Sequence, residues 1–193
     1  MTPVGDIADV CMGVTLRGRD ATRPVPDGPF RMIRISDISN EGRLINPDLL
    51  RFEPGESIKQ DLILRQGDVL FPNRGIRTTA YVFDLPEPNV IVGAQFYLIR
   101  PDQNVALPEY VAWYLRSEAA SQHFHLRRKG TLVQTLQRTD IQELALPLPP
   151  LAKQRTIVAL DALGTAERDL SLRLAKLRAT YLEHQLLKSS AQH

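Results

Sequence analysis

Glu143-Leu-Ala-Leu-Pro-Leu-Pro-Pro-Leu-Ala-Lys-Gln-Arg-Thr-Ile-Val158 divides this chain into two differently built parts. Proline fixes φ and carries no N–H donor, so Pro147, Pro149 and Pro150 end any helix or central strand that reaches them. Proline also suits the first turn of a helix, which makes Pro150 a natural start for the second part. From Leu151 to about Leu187 the apolar spacing is helical, with Ile157, Leu160, Leu163, Leu170, Leu174, Leu177 and Tyr181 on one stripe. The expected organisation is a mixed domain over residues 1–150 and one long helix over 151–193.

The long helix carries a second pattern. Positions 160, 163, 167, 170, 174, 177, 181 and 184 alternate three- and four-residue steps, the spacing of a coiled-coil seam, with Glu167 and His184 as flaws. At 1.5 Å per residue a helix of about 37 residues spans roughly 55 Å, more than this domain needs for its own packing. Leu160, Leu163, Leu170, Leu174, Leu177 and Tyr181 are therefore the expected contacts with a second helix, from a second copy or a partner.

Before the prolines the apolar runs are short and punctuated. Residues 1–14 read as a lead-in, and residues 13–29, with Arg17, Arg19 and Arg23, as a basic loop. Phe30 to Ile35 is strand-like and Ser36 to Gly42 turns the chain. Leu62 to Phe71 holds two apolar runs split by the turn pair Gly67-Asp68. Ala80–Phe83, Val90–Val92 and Phe96–Ile99 complete a set of short strands that implies a curled or barrel-like sheet. One helix is expected from Leu107-Pro108-Glu109 to His125-Leu126-Arg127-Arg128-Lys129-Gly130, with Val111, Tyr114, Leu115 and Ala119 as its apolar face. Thr139 and Gln142 have the spacing of a capping box for one more short helix. The fold class is α+β.

Composition narrows the function. The chain has 193 residues, a net charge of +2 and a single cysteine. An internal disulfide framework is excluded, and no Cys/His set has zinc spacing. No window approaches the roughly 18 uninterrupted apolar residues of a membrane span, so a cytoplasmic protein without membrane contact is expected. Residues 151–193 carry seven Lys+Arg against four Asp+Glu, whereas residues 1–150 carry seventeen against eighteen. Any nucleic-acid surface on the first domain must therefore be local. Nineteen of the cations are Arg and five are Lys. Arginine's planar fork suits phosphates and guanine edges, although a GC-rich coding sequence has the same effect.

Three polar clusters could touch DNA: the Asn73/Arg74/Arg77 loop, the Arg127-Arg128-Lys129 helix end, and Arg17, Arg19 and Arg23. Each also has a plain reading as a solvated face, and the second as a helix-terminal charge. Catalysis finds little footing. His123 and His125 flank Phe124 and point to different sides of a helix, and neither a nucleophile elbow nor a phosphate-cradling glycine loop is present. The chain reads as a non-enzyme with no cofactor.

Gly67-Asp68-Val69-Leu70-Phe71, the span Gly130-Thr131 through Leu136, and Leu146-Pro-Leu-Pro-Pro-Leu-Ala-Lys-Gln-Arg-Thr-Ile-Val-Ala-Leu-Asp161 together resemble the specificity subunit of type I restriction–modification systems. Lys153 departs from the glutamate more usual before the Gln. The resemblance implies a target recognition domain that binds double-stranded DNA, with methylation and cleavage left to separate modification (methyltransferase) and restriction subunits. A full specificity subunit has two such domains and two long helices; this chain resembles half of one. Two copies paired through antiparallel helices would restore the architecture, with the helices as a ruler between half-sites. On that reading Arg17, Arg19, Asn73, Arg74, Arg77, Arg128 and Lys129 are the expected DNA contacts, chosen on charge and loop position. Two other readings compete: a coiled-coil adaptor or decoy that binds modification subunits without reading DNA, and an enzyme, such as a nuclease, with a dispersed site.

Overall fold

The computed structural model describes residues 1–16, 23–55, 57–130 and 133–190. In chain order its elements are β1 (Thr2–Pro3), β2 (Ala8–Met12), β3 (Phe30–Ile33), β4 (Arg51–Phe52), β5 (Val69–Pro72), β6 (Tyr81–Val82), β7 (Val90–Val92) and β8 (Phe96–Pro101). After β8 come α1 (Pro108–Leu115), α2 (Glu118–Arg127), α3 (Arg138–Gln142), β9 (Ala145–Leu146) and α4 (Leu151–Ser190). The fold is α+β. The chain divides into two units, Met1–Gln154 and Arg155–His193. No helix among the described residues is long and apolar enough to cross a membrane.

The first unit is built on two small sheets. One is antiparallel in the order β2-β8-β5-β6, and the other has the order β4-β3-β7 with β3 and β7 parallel. They meet where Val14 bridges Gly93 and donates its N–H to the Val92 carbonyl at 2.7 Å. A Cβ on Gly13 would lie 2.4 Å from the Gly93 oxygen, so this backbone approach requires glycine. The strands are thus curled without closing into a barrel. Residues 1–14 are more than a lead-in: β2 forms an edge of the larger sheet, and β1 pairs with β9 just before the prolines. With Val10 as its one fully buried position, β2 shows almost no alternation to read.

Side chains of β7 divide the core. Val90 and Val92 pack with Ile33, Leu70, Phe83 and Phe96, whereas Ile91 packs with Val14, Met32 and Phe52. A strand covered on both faces needs a continuous apolar run, and Val90-Ile91-Val92 is one.

Three local expectations change. Leu62 to Leu64 does not form a strand. A 3-10 turn covers Gln60–Leu62, and the Arg100 guanidinium takes the carbonyls of Asp61 (3.3 Å) and Ile63 (3.2 Å) that a sheet partner would have used. The same guanidinium forms a two-pronged ion pair with buried Asp68, both contacts at 2.8 Å, which raises the Arg100 pKa. The single helix expected over 107–130 is two, because Ser117 accepts the Ala120 N–H and starts α2 afresh. That restart shifts the helical phase, so Ala119 is exposed while Ala120 and Phe124 are buried. The cap of α3 also sits two residues earlier than expected, with the Asp140 carboxylate accepting the Gln137 N–H at 2.6 Å.

The segment leading into the prolines is held by phenols. Tyr97, Tyr110 and Tyr114 donate to the carbonyls of Leu136, Pro147 and Ala145 at 3.0, 2.6 and 3.0 Å. Burial raises all three phenol pKa values, which keeps them as donors. Gln154, in the first turn of α4, is completely buried. Its Oε1 accepts the Leu107 N–H at 2.9 Å, while Nε2 donates to Val105 (2.9 Å) and Pro149 (2.8 Å). Gln154 is the sole buried residue of the 40-residue α4. Leu160, Leu163, Leu170, Leu174, Leu177 and Tyr181 are all exposed, between 49% and 67%.

Gln154→Ala would leave the half-buried Leu107 N–H and the Val105 and Pro149 carbonyls without their side-chain partner. The expected loss is about 2–4 kcal/mol of stability, measured as a lower urea midpoint at unchanged slope.

Candidate nucleic-acid interface

The structure joins two of the three polar clusters into one. The loop after β5 and the segment after α2 run side by side, with Thr135 at the centre. Arg74 and Thr135 form an antiparallel bridge, flanked by Gly75 N–H to the Gln134 carbonyl (2.8 Å) and Leu136 N–H to the Asn73 carbonyl (3.0 Å). On its other side Thr135 exchanges both backbone hydrogen bonds with Lys129, at 3.0 and 2.8 Å. The first pairing is of the narrow type and the second of the wide type, so the Cα atoms of Arg74 and Lys129 lie about 10 Å apart. Directly paired residues project from the same face of a ladder, and both of these side chains are exposed.

The remaining cations of the cluster build this arrangement. Arg77 donates to the carbonyls of Ile35 (3.4 Å), Ile38 (2.8 Å) and Ser39 (2.9 Å). Arg128 donates to the carbonyls of Gly75 and Arg77, and burial lowers its pKa. Asn73 is buried, its Nδ2 donating to the Ala94 carbonyl at 2.8 Å. These three expected DNA contacts are thus engaged with the chain's own backbone. Such groups must be satisfied internally, because a buried carbonyl without a partner costs as much as a lost hydrogen bond. Arg74 and Lys129 make no side-chain hydrogen bond or ion pair among the described residues and stand free on the surface. Arg17 and Arg19 lie outside the described residues.

The sequence does not single out Thr135, on which the cluster turns. Its only local signal is Gly130, whose φ is +109° and where an added Cβ would lie 2.4 Å from the Val133 oxygen, so that the position requires glycine.

Bracing and surface cations should separate cleanly on substitution. Arg77→Met and Arg128→Met are each expected to cost about 2–3 kcal/mol, whereas Arg74→Ala and Lys129→Ala should stay within about 0.5 kcal/mol of the parent. Urea unfolding of the four variants measures this contrast.

Comparison with known proteins places this geometry in context. A family model described as the type I restriction modification DNA specificity domain matches residues 3–170. The chain is 27% identical over 130 residues to the HindI type I restriction enzyme specificity subunit of Haemophilus influenzae, covering 62% of this chain and 28% of that protein. It is 24% identical over 178 residues to a Methanocaldococcus jannaschii protein assigned as the MjaX type I restriction enzyme specificity subunit, covering 85% and 40%. A solved chain from a study of type I R-M complex assembly and conformational transition superposes with a TM-score of 0.67 at 22% identity, over 92% of this chain and 41% of the other. The chain spans less than half the length of each of these proteins. On the family match over most of its length, the chain belongs to the type I restriction modification DNA specificity domain family.

Proposed function

We propose that this chain is the DNA-reading, non-catalytic component of a type I restriction–modification system. In this reading residues 1–150 bind one half of a bipartite site. Phosphate contacts from Arg74 and Lys129 set the register, and neighbouring side chains read base edges. The observation that carries the reading is the convergence of these two cations on one face of the Thr135 ladder. Asn73, Arg77 and Arg128 serve the site by holding that ladder. Arg17 and Arg19 remain proposed contacts.

The helix after the prolines supplies the second part. Six apolar side chains at coiled-coil spacing stand in water in the single chain. Burying them against a second copy would recover about 1.5–3 kcal/mol for each fully covered leucine. Two antiparallel copies would carry two identical recognition domains, with the helices between them as spacer and as the docking surface for modification and restriction subunits. The same exposed leucines would equally serve an adaptor that binds modification subunits without reading DNA, and this is the competing reading.

A homodimer of identical domains must read two identical half-sites about a two-fold axis. Co-expression with the neighbouring methyltransferase, followed by mapping of methylated adenines, should show an interrupted palindrome. An asymmetric site would overturn the homodimer and call for a second specificity chain.

Salt dependence tests the assigned cations. The assembled complex should lose DNA affinity linearly in log salt, and Arg74→Ala with Lys129→Ala should reduce that slope by about 0.9 per lost phosphate contact. A complex without any salt-dependent DNA binding would move the assignment to the adaptor.

A further inference from the structure

The two segments that carry Arg74 and Lys129 also present exposed apolar side chains. Ile76 is 79% exposed and Val133 is 57% exposed. They lie on either side of the hydrogen bond from Gly75 N–H to the Gln134 carbonyl, each adjacent in sequence to one of its partners. Gly75 adopts a φ of +77°, and a Cβ built there would meet no atom within 4 Å, while its N–H and carbonyl are engaged by Gln134 and Arg128. An isolated exposed isoleucine needs no explanation. This one sits at the apex of a loop fastened by Asn73 below, Arg77 beyond and Arg128 from the side. Such bracing lowers the entropy lost when the tip is ordered against a ligand. Arg74 lies two residues before Ile76 and Lys129 shares the Thr135 pairing with Arg74, and these exposed cations suit a polyanion and not an apolar protein face.

We infer that Ile76 is a specificity-determining residue that reads thymine through its C5-methyl group in the major groove, with Val133 beside it. The inference rests on the DNA-reading assignment above. An aliphatic side chain offers no hydrogen bond, so it can select a base only by apolar contact. On the edges of B-form base pairs the thymine methyl is the group that supplies such contact, and it lies in the major groove. The flanking cations hold the backbone on either side, and the bent, left-handed Gly75 presents the isoleucine outward. Arg74 and Lys129 thereby contribute affinity that is indifferent to sequence, and Ile76 contributes preference at one base pair.

The test uses the complex of the full chain with its methyltransferase and a duplex library with randomised half-sites. The wild type should enrich a half-site containing at least one thymine. Replacing thymines singly by deoxyuridine, which lacks only the methyl, should weaken binding about three- to tenfold at one position and leave the others unchanged. In the Ile76→Ala complex that discrimination should vanish while binding of the uracil-containing duplex stays the same. Because Ile76 is exposed, the variant should keep the parent's unfolding midpoint and still co-purify with the methyltransferase. Indifference of the wild type to uracil at every position, or a half-site without thymine, overturns the inference and leaves the DNA-reading assignment standing. Equal weakening of all duplexes by Ile76→Ala also overturns it, pointing to a wedge between base steps. Loss of co-purification overturns it in favour of a protein contact. A wild-type complex that enriches no sequence overturns both assignments together.

Discussion

Five backbone carbonyls, those of Ile35, Ile38, Ser39, Gly75 and Arg77, end on two guanidinium groups. A loop that projects from a small sheet carries more carbonyls than its neighbours can pair, and each one shielded from water needs a donor. Arg77 and Arg128 supply several donors from one planar group, which a lysine's compact ammonium does not do in this fixed geometry. The loop after β5 is thereby tied to the 35–39 turn on one flank and to the end of α2 on the other. These ties flank the Arg74–Thr135–Lys129 ladder. Cations that look alike in the sequence are therefore placed differently, two half-buried against the chain's own carbonyls and two facing outward.

A comparable economy holds the start of the long helix. The proline segment has few N–H donors of its own, so its carbonyls are met by tyrosine hydroxyls and by the Gln154 amide. Gln154 also satisfies the Leu107 N–H, which opens α1 without a capping side chain. One residue thus completes two helix beginnings, those of α1 and α4. Beyond it α4 has no further buried residue. Its leucines at coiled-coil spacing are exposed, which is the physical ground for the proposal that the helix is a contact element.

The two parts of the molecule differ in how much of each is legible in the sequence. Helix α4 is legible because its signals are local: prolines that start it, a regular apolar spacing, and no residue that breaks it. Strands β7 and β8 are legible because burial on both faces leaves unbroken apolar runs. The run Leu62–Leu64 looks the same, yet its start closes a 3-10 turn and the Ile63 carbonyl accepts from Arg100 of β8, which leaves the Leu64 N–H to make a single bond to Val90 of β7. Strand β2 escapes notice because an edge strand with one buried position carries almost no period. The division of the 107–130 helix turns on Ser117 accepting a hydrogen bond from Ala120, which a polar residue in an amphipathic stretch does not announce.

For the candidate site, sequence alone determined which residues carry charge, that they lie in loops, and that a long helix comes after the prolines. These depend on side-chain chemistry and on interactions within a few residues. Which arginines face solvent was decided only by tertiary structure. The choice depends on whether an unpaired carbonyl, 38 to 53 residues away in the chain, comes within reach of a guanidinium. The meeting of Arg74 and Lys129 across Thr135 was decided in the same way, by backbone pairing between segments whose separation in sequence holds no trace of it.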